Sequence, residues 1–214
     1  MICPVCKEQE LIQNRQICRE CQKNQRWEEI KFKEAAEIFS PRITKELRTH
    51  WDSMKIDPND CKVGQGLYLY GAVGCGKTLY AARLLMELKR LSFLSYHSPY
   101  IEGSFIATGN LLEELRACFD PKAEYTSQEL IAGYSQMDVL LLDDLGTQKT
   151  TEWAFQTLYL ILNNRYENLK TTIITSNLSL EALADQLGDD RIPSRIQEMC
   201  RIKEMVGADY RGRN

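Results

Sequence analysis

The sequence predicts an α/β fold, a parallel sheet with helices on both faces, preceded by a small cysteine-rich module. Three observations carry that expectation. After residue 62, short apolar runs alternate with amphipathic stretches long enough to be crossover helices. Val139-Leu140-Leu141-Leu142 is apolar without interruption, as a strand buried on both faces requires. Cys3, Cys6, Cys18 and Cys21 crowd into polar sequence with almost no apolar periodicity. A chain of 214 residues accommodates one ordinary domain and a small appendage. Shifts in composition divide it into 1–25, a helical link at 26–61 and the α/β unit at 62–214.

Within the link, Trp27, Ile30, Ala35 and Ile38 fall on one helical face over 27–39, and Pro41 ends that helix or opens the next, which runs to about residue 54. Pro58-Asn59-Asp60 is a turn cluster. Residues 67–70 form a short apolar strand that runs straight into the glycine-rich stretch 71–76. Residues 78–91 follow as a helix with Leu84, Leu85 and Leu88 inward. Next come strand 104–108, helix 111–119, strand 139–143, helix 152–167, strand 172–175 and helix 179–187, with Ser179 as its N-cap. A last strand lies near 201–205.

The net charge of −3 excludes a histone-like binder held by bulk charge, though not one that uses local basic patches. Residues 191–214 carry six basic and three acidic side chains, a mild surplus. No apolar run approaches the roughly 20 residues that a membrane helix needs. Met1-Ile2-Cys3-Pro4 leads into charged sequence, unlike a secretory signal. The expectation is a soluble, cytoplasmic protein with no membrane partner, in a reducing compartment where disulfides do not form.

Gly71-Ala72-Val73-Gly74-Cys75-Gly76-Lys77-Thr78 fits the phosphate-loop pattern G-x-x-x-x-G-K-[ST]. Its glycines let backbone N–H groups turn toward phosphates with no Cβ in the way. The helix that follows points its free N–H groups and positive dipole end at the same phosphates. Lys77 sets an ammonium against the β- and γ-oxygens, and the Thr78 hydroxyl completes a Mg²⁺ shell. An apolar strand before the loop and an amphipathic helix after it are the context the pattern requires.

The strand at 139–143 ends in two carboxylates. In such a nucleotide-binding fold Asp143 holds Mg²⁺ through water, and Asp144 orients and deprotonates the attacking water. Asn177, ending the next apolar strand, is placed to touch both the γ-phosphate and that water.

These residues are similar to the AAA+ ATPases of the DnaC/DnaI helicase-loader and IstB transposition-helper group, over roughly 62–213. The resemblance rests on Gly66-Leu67-Tyr68-Leu69-Tyr70-Gly71, Leu142-Asp143-Asp144-Leu145-Gly146 and Glu152-Trp153-Ala154. It continues through Asn163-Asn164-Arg165-Tyr166, Thr172-Ile173-Ile174-Thr175-Ser176-Asn177-Leu178, Asp190-Arg191-Ile192-Pro193-Ser194-Arg195 and Asp209-Tyr210-Arg211. It implies an AAA+ fold, ATP hydrolysis, and an arginine finger at Arg195, with Arg191 as the alternative. It also implies ATP-driven self-assembly into a ring or helical oligomer. Only 19 residues follow Arg195, which implies a reduced or absent C-terminal lid. The stretch 92–102 looks longer than the family's usual link and carries no assigned role.

Cys3-Pro4-Val5-Cys6 and Cys18-Arg19-Glu20-Cys21 are two C-x₂-C knuckles separated by eleven residues. Two such pairs make a tetrahedral Cys₄ shell for Zn²⁺. So short a segment cannot bury enough apolar surface to fold without the metal. Cys61, Cys118 and Cys200 read as buried or incidental, Cys75 as occupying a permissive loop position, and the isolated His50 and His97 as ordinary surface or core residues. Three functions remain open at this level. The first is an ATPase that loads a replicative helicase onto single-stranded DNA. The second is a transposition helper assembling on duplex DNA, and the third an adaptor using ATP only as a switch. The zinc-bearing N-terminus with its helical link favours the first.

Overall fold

The computed structural model describes residues 2, 4–7, 17–60, 62–95, 99–147 and 151–207. Two helices come first, α1 (Arg19–Ile38) and α2 (Pro41–His50), then a 3-10 turn at Pro58–Asp60. The alternating part follows as β1 (Gly66–Tyr70), α3 (Lys77–Leu94), β2 (Gly103–Ala107), α4 (Thr108–Ala117) and α5 (Ser127–Gln136). It continues with β3 (Val139–Leu145), α6 (Glu152–Glu167), β4 (Thr171–Ser176), α7 (Leu180–Leu187), α8 (Arg191–Met199) and β5 (Cys200–Glu204).

All pairings are parallel, in the order β2-β3-β4-β1-β5. Because side chains alternate along a strand, each strand serves two cores. Leu67, Leu69, Val139, Leu141 and Ile173 point to one packed layer, and Tyr68, Leu140, Leu142 and Ile174 to the other. The first layer is closed by α1, α2 and α3, the second by α4, α6, α7 and α8. This is the expected sheet with helices on both faces. β5 is the last element among the described residues, and none of their helices is long and apolar enough to cross a membrane.

Two helices were not foreseen as such. The first, α5, opens with a reciprocal capping box in which Thr126 Oγ1 accepts from Glu129 N–H and the Glu129 carboxylate accepts from Thr126 N–H. The other is α8. The start of α1 also differs: it begins at Arg19, capped by Cys18, and so runs through the expected boundary at 25/26. Its apolar face is not a free link. Fully buried Trp27 packs on Phe93 of α3, and Ala35, Phe39, Leu47 and Trp51 share one core with Leu84, Leu85 and the sheet.

The elongated 92–102 stretch takes part in the same packing, though residues 96–98 lie outside the described set. Tyr100 sets its ring edge against Phe93 and donates its hydroxyl to Glu34 Oε2 at 2.7 Å. Ile101 N–H donates to Ser92 Oγ at 3.2 Å. The stretch straps α1 to the far end of α3.

Candidate functional site

The phosphate loop joins β1 to α3, and its glycines do what side chains could not. Gly76 caps α3 at φ 93°, with no side chain bonded to the helix N-terminus. The first N–H groups of α3 are therefore available to an anion. Gly71 has φ 148°, and a Cβ there would run into the Met205 carbonyl oxygen at the end of β5. Lys77 is buried, its ammonium donating to the carbonyls of Gly71 (2.9 Å) and Ala72 (2.8 Å), with Cys75 Sγ at 3.8 Å. Cys75 is thus a buried wall of the loop. Ala72 and Val73 complete the turn, and Val73 stays exposed.

The two acids meet the loop from β3. Thr78 Oγ1 donates to Asp143 Oδ1 at 2.8 Å, bringing two hard oxygen donors together beside the loop, as a Mg²⁺ site requires. Asp143 is buried, and desolvation raises its pKa above the usual carboxylate range, aided by the neighbouring Asp144 charge and opposed by the hydroxyls of Thr175 and Thr78. Thr108 supports the same spot by donating to the Asp143 carbonyl at 2.9 Å. Asp144, one residue on, is exposed and adopts φ 56°. Asn177 follows β4 directly, half-buried. Since β4 lies between β1, which feeds the loop, and β3, which carries the acids, Asn177 stands between them at the same sheet end.

Arg195 is not part of this constellation within the chain. Its Nε donates to Asn163 Oδ1 at 2.9 Å, its guanidinium lies 4.6 Å from the Tyr166 ring centroid, and Glu198 is 3.4 Å away. Arg191 pairs with Asp189 at 2.8 Å and covers the stacked rings of Phe155 and Tyr159. Both arginines sit on the α6–α8 face.

At the N-terminal end the Sγ atoms of Cys6, Cys18 and Cys21 lie within 4.8 Å of one another, with Cys6 and Cys18 3.8 Å apart. Tetrahedral Zn²⁺ with Zn–S bonds of about 2.3 Å sets its sulfurs about 3.8 Å apart, so the three thiols fit the ion. Cys3, the fourth expected ligand, lies outside the described residues, as do Cys61, His97 and Asp209-Tyr210-Arg211.

Two well-placed residues escaped sequence reasoning. Thr175, fully buried on β4, donates to Asp143 Oδ1 at 2.5 Å and accepts from Asp144 N–H at 3.0 Å. Arg165, at the far end of α6, is also fully buried and, among the described residues, bonds to neutral oxygens alone. A threonine in a β-branched strand and an arginine in a polar helix end carry no distinguishing signal by themselves.

Residues 18–214 match the family described as IstB-like ATP binding protein. The chain is 29% identical over 164 residues to phage-like element PBSX protein XkdC of Bacillus subtilis (strain 168), covering 73% of this chain and 54% of that protein. It is 28% identical over 126 residues to the replicative helicase loader DnaI of the same organism, covering 58% of this chain and 37% of that protein. It spans about half the length, or less, of these curated relatives. Among solved structures, that of the DnaC helicase loader aligns with a TM-score of 0.56 and 28% identity, over 77% of this chain and 89% of that one. The parallel sheet and its phosphate loop have the P-loop AAA+ architecture of these neighbours. With the family match running from Cys18 onward, the chain belongs to the IstB-like family of ATP-binding proteins.

Proposed function

We propose that the protein is a Mg²⁺-dependent ATPase that engages a replicative helicase and delivers it to single-stranded DNA. The observation that carries the loader reading is the 28% identity to the DnaC helicase loader across 89% of that chain. In the reaction, Lys77 turns from the loop carbonyls to the β- and γ-phosphate oxygens, while the loop N–H groups and the start of α3 bind the remaining charge. Thr78 and Asp143 hold Mg²⁺, which supplies neutralisation of phosphate charge. Asp144, exposed beside them, accepts the proton of the attacking water, and Asn177 orients that water against the γ-phosphate. Arg195, or Arg191 one turn earlier, serves a neighbouring subunit's site in an ATP-assembled ring or helix.

Cys3, Cys6, Cys18 and Cys21 bind one Zn²⁺, which supplies the folding energy that a module of about 25 residues lacks. The module at 1–25, the helices at 26–61 and the ATPase unit at 62–214 work together in the cytoplasm. The test is to mix the protein with the helicase of its own host and follow complex formation and helicase deposition on single-stranded DNA. The expected result is an ATP-dependent complex, absent with Lys77→Ala. Asp144→Asn should form the complex but not turn over ATP. Elemental analysis should find one zinc per chain. No complex with any nucleotide would overturn the loader reading, and wild-type hydrolysis by Asp144→Asn would overturn the role of that carboxylate.

A further inference from the structure

We infer that Thr175 is the positioning residue that sets both acids of the site. This rests on the hydrolysis reading above. The parallel register of β3 and β4 runs from Val139↔Thr171 to Leu142↔Ile174 and resumes at Leu145↔Ser176. Two residues, Asp143 and Asp144, thus face the single residue Thr175: a β-bulge at the mouth of the site. Asp143 keeps the face that regular alternation gives it, with Val139 and Leu141, whereas the extra residue, Asp144, turns out at positive φ and Leu145 rejoins the core of Leu142. Asp143 is packed against Thr78, and Asp144 is free in solvent.

A bulge takes a backbone N–H out of the ladder, and that group needs another acceptor. Thr175 Oγ1 is the acceptor, 3.0 Å from Asp144 N, and holds the chain where Asp144 takes φ 56°. The hydroxyl's one proton goes to Asp143 Oδ1 at 2.5 Å. One buried hydroxyl therefore receives from the backbone of one acid and donates to the side chain of the other, using its bonding capacity on both. Asp143 Oδ1 then carries two donors, Thr175 and Thr78, and Oδ2 has no donor among the described residues. Thr175 thereby decides which carboxylate oxygen is turned toward a metal. It also stitches to both acids the strand end on which Asn177 sits.

Valine has nearly the same shape and suits a buried strand, yet can do neither job. Serine keeps the hydroxyl and loses only a methyl. The experiment uses the full chain of the wild type, Thr175→Val, Thr175→Ser and Thr175→Ala. It reads the affinity of a fluorescent non-hydrolysable ATP analogue with Mg²⁺ and with EDTA, ATP turnover, and hydrogen exchange of the Asp144 amide without metal or nucleotide. A lost hydrogen bond to a charged group corresponds to roughly a ten- to hundredfold effect. Thr175→Val should show that loss in turnover and in Mg²⁺-dependent affinity, with EDTA affinity within about twofold of wild type. Its Asp144 amide should exchange at least about tenfold faster. Thr175→Ser should restore all three, and Thr175→Ala should behave like valine.

If valine matches wild type in Mg²⁺-dependent affinity and amide exchange, the inference is overturned. The same holds if serine is as defective as valine, since packing rather than the hydroxyl would then be at work. Should the wild type bind Mg²⁺ and nucleotide without turnover, the ATPase reading fails. Affinity and exchange would still judge Thr175.

Discussion

Replacing Arg165 by Met should cost the protein a few kcal/mol of stability, although the residue lies at the sheet end opposite the phosphate loop. It is fully buried, with no carboxylate in ion-pair range among the described residues. It donates to the carbonyls of Tyr134 (2.7 Å), Met137 (2.8 Å) and Thr171 (2.6 Å) and to Thr172 Oγ1 (2.9 Å). The first two are carbonyls at the C-terminal end of α5, where a helix runs out of its own donors. Methionine fills similar space and leaves three carbonyls, that of Thr171 buried and those of Tyr134 and Met137 half-buried, without this donor, at about 1–3 kcal/mol each. Against this, the dry cation itself is costly: desolvation pushes the Arg165 pKa down to about 10. Its removal returns roughly 3 kcal/mol. The balance is a net loss of about 3 kcal/mol, or roughly 6–12 °C in melting temperature for a chain of this size. Arg165→Lys should fall between, because one ammonium cannot reach acceptors on both sides of a planar fork. With the folded pKa near 10, the arginine is charged in both states below that value, so the loss should be the same at pH 6 and pH 8. Thermal melts followed by circular dichroism decide the matter. A melting temperature for Arg165→Met within 2 °C of wild type, at either pH, would refute the reasoning.

Asp143→Asn should abolish turnover yet raise the melting temperature at pH 7–8, measured without metal or nucleotide, because it removes a desolvated charge. A carboxyl whose folded pKa is raised contributes stability below its unfolded pKa and loses it as pH rises through the folded value. The advantage of Asn over Asp should therefore vanish at acid pH and grow toward neutrality; a constant difference would contradict the assignment. Trp27→Ala should cost about 3–5 kcal/mol, seen as a melting temperature lower by roughly 6–20 °C. A negligible shift would show that α1 is a detachable link. Arg195→Ala should bind ATP normally and lose about 10³-fold or more in turnover. Mixing it with inactive Lys77→Ala should restore activity, whereas full activity of Arg195→Ala alone would leave the side chain as a surface contact to Asn163 and Tyr166.

The helix that starts at the phosphate loop and the helix that starts at the cysteine cluster lie side by side, antiparallel. Contacts run from Lys23 with the carbonyls of Phe93, Leu94 and Ser95, through Trp27 with Phe93, to Glu34 with Lys89. α3 has no basic residue in its own last turn, so the Lys23 ammonium supplies the positive charge that its carbonyl end favours. Cys18 caps α1, and Cys21 lies in its first turn. Whatever stiffens the cysteine cluster therefore stiffens the start of the helix that braces the far end of α3. This is a physical reason for α1 and α2 to be packed core rather than tether, and apolar periodicity alone could not distinguish the two.

What was legible followed local rules. The order of the strands and of the helices other than α5 and α8, the phosphate loop and the two acids depend on patterns a few residues long, and α6 appears over the same 152–167 that the sequence marks. What was not legible depends on register. An apolar run ending in Asp143-Asp144 announces a strand with acids at its tip, but says nothing of which residue of another strand stands opposite. That follows from the pairing of Val139 with Thr171, set by cores on both faces of the sheet. Only with that register does one threonine come to face two aspartates, and only then does the bulge need a buried acceptor for the Asp144 amide. Read along the chain, Thr175 is one more β-branched residue in a strand. Across the sheet, it is the one hydroxyl among the described residues bonded both to an oxygen of Asp143 and to the backbone of Asp144.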